Sequence, residues 1–179
     1  MITLSTFLKK VCYWFVIPKF LLYICLMKTV IFDLDGTLAD ITKRREMSTK
    51  ENGKIDWDIF FEPNNIWFDL PNEPVITMAQ LLSEKHRIVI FSGRSKATKT
   101  ETKRWLQKFN VPFDVLKMRP TSNDWKFIPD DELKQHWLDT LFPDDKRKDI
   151  LCVFDDRQKV VDMWRKNGIT CFQVDEGNF

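Results

Sequence analysis

An α/β domain with a mostly parallel sheet flanked by helices is predicted by three observations. Short β-branched runs recur along the chain, stretches of helical periodicity separate them, and polar residues stand where several of the runs end. The first run, Thr29-Val30-Ile31-Phe32, reads as a buried strand and closes on Asp33-Leu34-Asp35-Gly36-Thr37. Side chains alternate along a strand, so Asp33 and Asp35 are expected on the same side of its end, and Gly36 supplies the freedom to turn the chain away. Residues 75–85, after Pro74, carry a helical pattern, and 86–91 form a second β-branched run that ends in Ser92-Gly93-Arg94. Helix is expected again over 95–109, strand over 115–118 and helix over 131–141. The run 150–154 ends in Asp155-Asp156, helix follows over 158–167 with Gly168 as its stop, and 169–174 is the last strand. Ligands of parallel sheets sit beyond the carboxyl ends of the strands, where Asp33, Ser92 and Asp155 all fall.

With 179 residues, 44% hydrophobic and 30% charged, the chain suits one globular domain with a full core. The formal charge of +2 hides an asymmetry, because residues 1–27 hold Lys9, Lys10 and Lys19 and no acid, which leaves the remainder at −1. Bulk charge therefore names no nucleic-acid partner, and any electrostatic footprint must be local. Cys12, Cys25, Cys152 and Cys171 show neither CxxC spacing nor a histidine at zinc-site spacing. Cys152 and Cys171 lie in apolar strand-like runs and are expected to be buried as small hydrophobes. Residues 1–26 differ from the rest. Their apolar stretches are interrupted by Pro18-Lys19, whereas a spanning helix needs about 20 consecutive apolar residues. They also lack the small residues that precede the cleavage point of a secretory leader. This segment is read as an appended or mis-assigned upstream start, with a membrane anchor or a weak interfacial helix as alternatives, and the domain proper as 27–179.

Each polar element has a bland reading when taken alone. An Asp-x-Asp pair after a strand is often a turn with solvated acids, and Ser92-Gly93 is a common loop dipeptide. Asp155-Asp156 suits the start of the following helix, where unpaired N–H groups welcome a carboxylate. Lys134, in the first turns of a helix, is by default a solvated lysine. Their joint occurrence in this order, at the ends of separate elements, is what carries information.

Together these residues resemble the haloacid dehalogenase-like phosphohydrolases, whose four motifs appear here as Asp33-Leu34-Asp35-Gly36-Thr37, Ser92, Lys134 and Asp155-Asp156. The stretch from Val153-Phe154-Asp155-Asp156-Arg157, through Val160-Val161-Asp162-Met163-Trp164-Arg165, to Gly177-Asn178-Phe179 is similar to the 3′-phosphatase domain of phage polynucleotide kinase-phosphatase. Arg44 and Arg94 fall where that branch has arginines used for activity. The resemblance covers residues 27–179 and implies a Rossmann-like sheet with a small cap insertion around 41–74. No G-x-x-x-x-G-K-[ST] phosphate cradle occurs, since Gly53-Lys54 is followed by Ile55, so no kinase activity is expected.

A phosphate monoester repels nucleophiles, so its cleavage needs charge neutralisation and in-line positioning. Carboxylate motifs without histidine or thiolate suit Mg²⁺. The resemblance implies Asp33 as a nucleophile forming an aspartyl-phosphate and Asp35 as the acid that later acts as base. It implies Ser92 and Lys134 as holders of the phosphoryl oxygens. Asp33, Asp35, Asp155 and Asp156 form the expected metal site, and Arg44, Arg94, Thr37 and Gly93 the expected substrate-binding set. Lys96, Lys99 and Lys103, and Lys43-Arg44-Arg45, are candidate tracks for a phosphate backbone, with solvated faces as the alternative. Trp57, Trp67 and Trp125 are candidate stacking surfaces for a terminal base, with core or cap packing as the alternative. The expectation is a Mg²⁺-dependent polynucleotide 3′-phosphatase for DNA or RNA ends. It is placed in the cytoplasm, or in a host's cytoplasm if phage-encoded, beside a separate kinase or ligase. A phosphatase of nucleotides or other small molecules, and a module that only binds phosphate ends, are its rivals.

Overall fold

The computed structural model describes residues 27–177; the expectations for residues 1–26, including Cys12 and Cys25, and for Asn178 and Phe179, lie outside the described residues. Strand β1 (Thr29–Asp33) is buried at every position. It leads into an insertion made of strand β2 (Ala39–Asp40), helices α1 (Thr42–Ser48) and α2 (Trp57–Phe60), a 3-10 segment (Pro63–Phe68) and strand β3 (Leu70–Pro71). β2 and β3 pair antiparallel, Ala39 against Pro71 and Asp40 against Leu70, so the insertion leaves and rejoins the body at one point. Helix α3 (Glu73–Ser83) follows, with Pro74 in its first turn, where a missing N–H costs nothing. Next come β4 (Arg87–Ser95), α4 (Lys99–Lys108), β5 (Val115–Arg119), the short α5 (Asn123–Lys126), α6 (Asp130–Leu141), β6 (Ile150–Asp155), α7 (Gln158–Lys166) and β7 (Cys171–Gln173).

The main sheet has five parallel strands in the order β5-β4-β1-β6-β7. Alternation along β1 and β4 divides the core in two. Val30, Phe32, Ile88 and Ile90 pack with Ile76 and Ala79 of α3 and with Trp105 and Leu106 of α4. Ile31, Val89 and Phe91 face the other way, onto Leu133, Trp137 and Leu138 of α6 and Val160, Val161 and Trp164 of α7. Both faces of β1 are thus covered, which is why its sequence is uniformly apolar. Cys152 and Cys171 are free and buried in this core. Among the described residues, no helix is long and apolar enough to cross a membrane.

The end of β4 differs from the sequence expectation in a way that bears on the site. β4 does not end at Phe91 but continues to Ser95, because its pairing with β5 extends through Ser92↔Met118 and resumes at Ser95↔Arg119 after a register shift. The shift takes up Gly93 and Arg94 and re-aims the chain, as bulges do at functional strand ends. The following helix therefore starts at Lys99, after a 3-10 turn (Lys96–Thr98) whose Ala97 N–H is capped by Ser95 Oγ at 3.2 Å.

Candidate active site

β1 and β6 are neighbours, so Asp33 and Asp155 stand side by side at the carboxyl edge of the sheet, with Asp156 one residue further on. Asp33, Asp155 and Asp156 are all buried, and each offers an oxygen within 4.8 Å of the others. Lys134 stands on the buried stripe of α6 with Leu133, Trp137 and Leu138, which carries its stem inward rather than to solvent. Its Nζ donates to Asp33 Oδ1 at 2.5 Å and to Asp155 Oδ2 at 2.8 Å. Trp164 Nε1 donates to Asp155 Oδ2 at 3.2 Å, and Thr37 Oγ1 to Asp156 Oδ1 at 3.2 Å. Asp156 Oδ2 is buried with no hydrogen-bond partner among the described residues. Asp155-Asp156 does not cap α7, whose N-cap is Arg157 without a side-chain bond.

Three acids around one ammonium leave excess negative charge, and the ionisation balance shows it. Burial pushes the Asp33 carboxyl well above the usual range, Lys134 pulling down against it while Asp155 and Asp156 add to the rise. Burial, then the charge of Asp155, raises Asp156 to about 6. For Lys134 burial works against the charged form, but Asp155 and Asp33 outweigh it and hold the ammonium above its ordinary value. A site with surplus carboxylate and an unpaired buried oxygen fits a hard divalent cation.

Asp35 belongs to a second, neighbouring network. Arg44 Nη2 donates to its Oδ1 at 2.8 Å and Arg94 Nε at 2.7 Å, with Arg94 Nη2 a further donor to the same oxygen. Behind it lies Asp69, fully buried, whose Oδ1 accepts from Arg44 Nε at 2.8 Å and whose Oδ2 accepts from Arg94 Nη2 at 2.6 Å. Two guanidiniums and two carboxylates balance in charge, and the forked donors satisfy the acids at fixed angles. Burial opposes ionisation of Asp35, but Arg44 and Arg94 outweigh it and hold the carboxyl below the usual range. At Asp69 burial outweighs Arg94 and Arg44 and raises the carboxyl to about 6.

A cavity of about 770 Å³ opens over both networks. Of the sequence-predicted residues, Asp33, Asp35, Gly93, Lys134, Asp155 and Asp156 line it. Ser92, Thr37, Arg44 and Arg94 stand behind that wall, all buried. Three placements differ from expectation. Asp35, expected among the metal ligands, is outside the three-acid group because its carboxylate is taken by Arg44 and Arg94. Those two arginines, expected to grip phosphate, grip Asp35 and Asp69 instead. The Thr37 hydroxyl meets Asp156 rather than the cavity. Ser92 Oγ accepts from the Arg94 N–H at 3.2 Å, which ties it to the bulge of β4.

Sequence reasoning missed Asp69 and Asp130. Asp130 accepts from Arg119 Nη2 and, at 2.6 Å, from Arg157 Nη1. Its Oδ1 lies 2.7 Å from where a Cβ on Gly93 would stand, so a side chain there would push the Asp130 carboxylate off its arginines. Asp130 sits one helical turn before Lys134, a spacing that places the two on one face and was a usable signal. Asp69 had none: its partners are each 25 residues away, in opposite directions along the chain.

The profile of the polynucleotide kinase PNKP phosphatase domain matches residues 27–179, the whole of the described domain. The chain belongs to this family. It is a phosphatase domain of the haloacid dehalogenase-like type. A putative bifunctional polynucleotide kinase/RNA ligase of Autographa californica nuclear polyhedrosis virus is 34% identical over 154 residues, which cover 82% of this chain and 19% of the relative. A structure of the Pnkp1/Rnl/Hen1 RNA repair complex contains a chain 31% identical, with a TM-score of 0.66, over 87% of this chain and 44% of that one. The chain therefore spans less than half the length of either relative. A haloacid dehalogenase family enzyme of Bacteroides thetaiotaomicron, solved with magnesium and inorganic phosphate, shares the fold at 15% identity and a TM-score of 0.53, over 86% of this chain and 96% of that one.

Proposed function

We propose that the chain removes 3′-phosphates from nucleic-acid ends, with Mg²⁺ held by Asp33, Asp155 and Asp156. The observation that carries this reading is the convergence of those three acids, Lys134 and Asp35 on one cavity at the carboxyl edge of the sheet. Bound there, the cation supplies charge neutralisation for the phosphoryl oxygens.

Asp33 attacks phosphorus in line, and the bond from phosphorus to the 3′-oxygen breaks as an aspartyl-phosphate forms. Lys134, already bonded to Asp33, supplies a fixed positive charge against the transferring group. Asp35 gives its proton to the departing 3′-oxygen. The two guanidiniums that hold Asp35 ionised at rest disfavour this first role, and the incoming phosphate answers them, because a like charge beside a carboxylate favours its protonated form. In the second half, water attacks the aspartyl-phosphate, Asp35 takes the water's proton, and inorganic phosphate leaves with Asp33 restored. Arg44 and Arg94 act through Asp35 by fixing where that proton is delivered. The segment between β2 and β3 serves as a cap over the cavity.

The viral relative's printed name joins kinase and RNA ligase activities, and the 31% identical chain sits in an RNA repair complex. These favour a role in preparing ends for a kinase and a ligase. The deciding experiment is a substrate panel with Mg²⁺: 3′-phosphorylated and 5′-phosphorylated oligonucleotides, 2′,3′-cyclic ends and mononucleotides. The reading expects turnover of 3′-phosphorylated ends that vanishes with chelator and in Asp33→Asn. Preference for mononucleotides over oligonucleotides, or for 5′-phosphates, would overturn it.

A further inference from the structure

The cavity is larger and more aromatic than phosphate chemistry requires. Acids and Lys134 line one part of it, while Ile55, Trp57, Phe60, Phe61, Phe127 and Ile128 line another. Two of these rings are held out to solvent by well-anchored backbone. Trp57 is 57% exposed, yet its ring is fixed against Phe61 (stacked, 5.6 Å between centroids) and against the edge of Phe60 (5.6 Å). It opens α2, which is capped by the Asp56 side chain accepting from the Asp58 and Ile59 N–H groups, and Asp56 is in turn paired with Lys50 at 3.0 Å. Phe127 is 83% exposed. The carbonyls on either side of it are pinned by a single guanidinium, since Arg119 Nη1 donates to Trp125 O at 2.8 Å and to Ile128 O at 2.6 Å. Arg119 ends β5, so the ring of Phe127 is carried on the rim of the sheet itself. Holding large aromatic surface in water forgoes the gain from burying it, which makes sense where a flat partner covers it.

We propose that Trp57 and Phe127 form a stacking subsite for the unpaired nucleobase of the terminal nucleotide, resting on the reading that its 3′-phosphate enters the same cavity. Aromatic faces accept any base, so the subsite selects for the presence of a base and not for its identity. Arg45, Arg119 and Arg157 line the same cavity; Arg119 and Arg157 share the Asp130 carboxylate, and the three cations against that one acid leave this side net positive toward a flanking phosphate. The other two tryptophans singled out by sequence do not line this cavity. Trp67 carries Lys108 over its ring at 5.5 Å, and Trp125 packs on His136 with centroids 4.5 Å apart.

The test compares single-stranded oligonucleotides of one length, 3′-phosphorylated on a normal terminal nucleotide or on an abasic one, with full-length protein and Mg²⁺. Stacking predicts that the base-bearing end has the higher kcat/KM, by roughly 5-fold or more, in the wild type. Trp57→Ala and Phe127→Ala should each bring that ratio towards one, mainly through KM, whereas Trp57→Phe, which keeps a flat ring, should retain it. A merely structural role lowers both substrates together and leaves the ratio as in the wild type, which overturns the proposal. Equal wild-type rates on the two substrates overturn stacking while leaving the 3′-phosphatase reading intact, and no turnover of either removes both. A phosphotyrosine peptide hydrolysed with the same dependence on Trp57 and Phe127, and better than the oligonucleotide, would assign the rings to a different substrate.

Discussion

Replacing Lys134 with Met removes the ammonium that bridges Asp33 and Asp155 and leaves three buried carboxylates facing one another. Methionine keeps the stem's length and apolar volume, so the change is almost purely one of charge. Removing one partner of a buried ion pair typically costs ~3–5 kcal/mol, and each kcal/mol moves Tm by about 2–4 °C in a chain of this size. Thermal unfolding in chelator at pH 8, followed by circular dichroism, should therefore show Tm lowered by about 6–20 °C relative to wild type. The deficit should shrink towards pH 5, because the Asp33 carboxyl, raised by burial, takes a proton more readily once the lysine is gone. Mg²⁺ at about 100 times its Kd should return about 2.7 kcal/mol of stability, but not phosphatase turnover, in which the proposed function gives the lysine a part beside the metal. A Tm in chelator within about 2 °C of wild type would refute the view that this lysine balances the acids.

Two further outcomes follow from the networks around the site. Gly93→Ala places a Cβ 2.7 Å from Asp130 Oδ1, which is held by Arg119 on a carboxylate whose other oxygen is held by Arg157; denaturant unfolding should show a loss of about 1–3 kcal/mol with an unchanged m-value. Asp69, with its folded pKa raised to about 6 above the ordinary value of 3.8, contributes stability that is present below about 4 and lost as pH rises through about 6. Asp69→Asn should remove that component, so the stability–pH curve of the variant is flatter than the wild type's between about pH 4 and 6; a curve of unchanged shape would contradict the assignment.

The sheet and its polar rim were legible because each strand is a short apolar run that stops at a chemically distinctive residue, as Phe32 stops at Asp33 and Phe154 at Asp155. Lys134 was legible only through the family's motif order, since nothing local shows that a lysine on α6 points inward; Leu133, Trp137 and Leu138 beside it are the clue in hindsight. The true end of β4 was hidden because the run's apolar character stops at Phe91 while its pairing with β5 continues, and pairing belongs to the partner strand. The motif order puts Asp35 beside Asp33 among the expected metal ligands. Spacing fixes a direction at the strand's end, but Arg44 and Arg94, arriving from an insertion and from another strand, decide what the carboxylate meets. Asp69 stayed invisible for the same reason, lying in an aromatic stretch with all its partners distant.

The two longest links in the acid cluster, Lys134 to Asp33 across 101 residues and Thr37 to Asp156 across 119, tie nearly opposite ends of the domain together. Such closures cost loop entropy before any contact rewards them, which slows folding. A chain that stops before β6 has the Asp35 network, which lies within residues 35–94, but lacks Asp155 and Asp156 and so cannot assemble the three-acid group. The acid cluster is thus the part of the molecule that depends on the last third of the chain having joined the first strand.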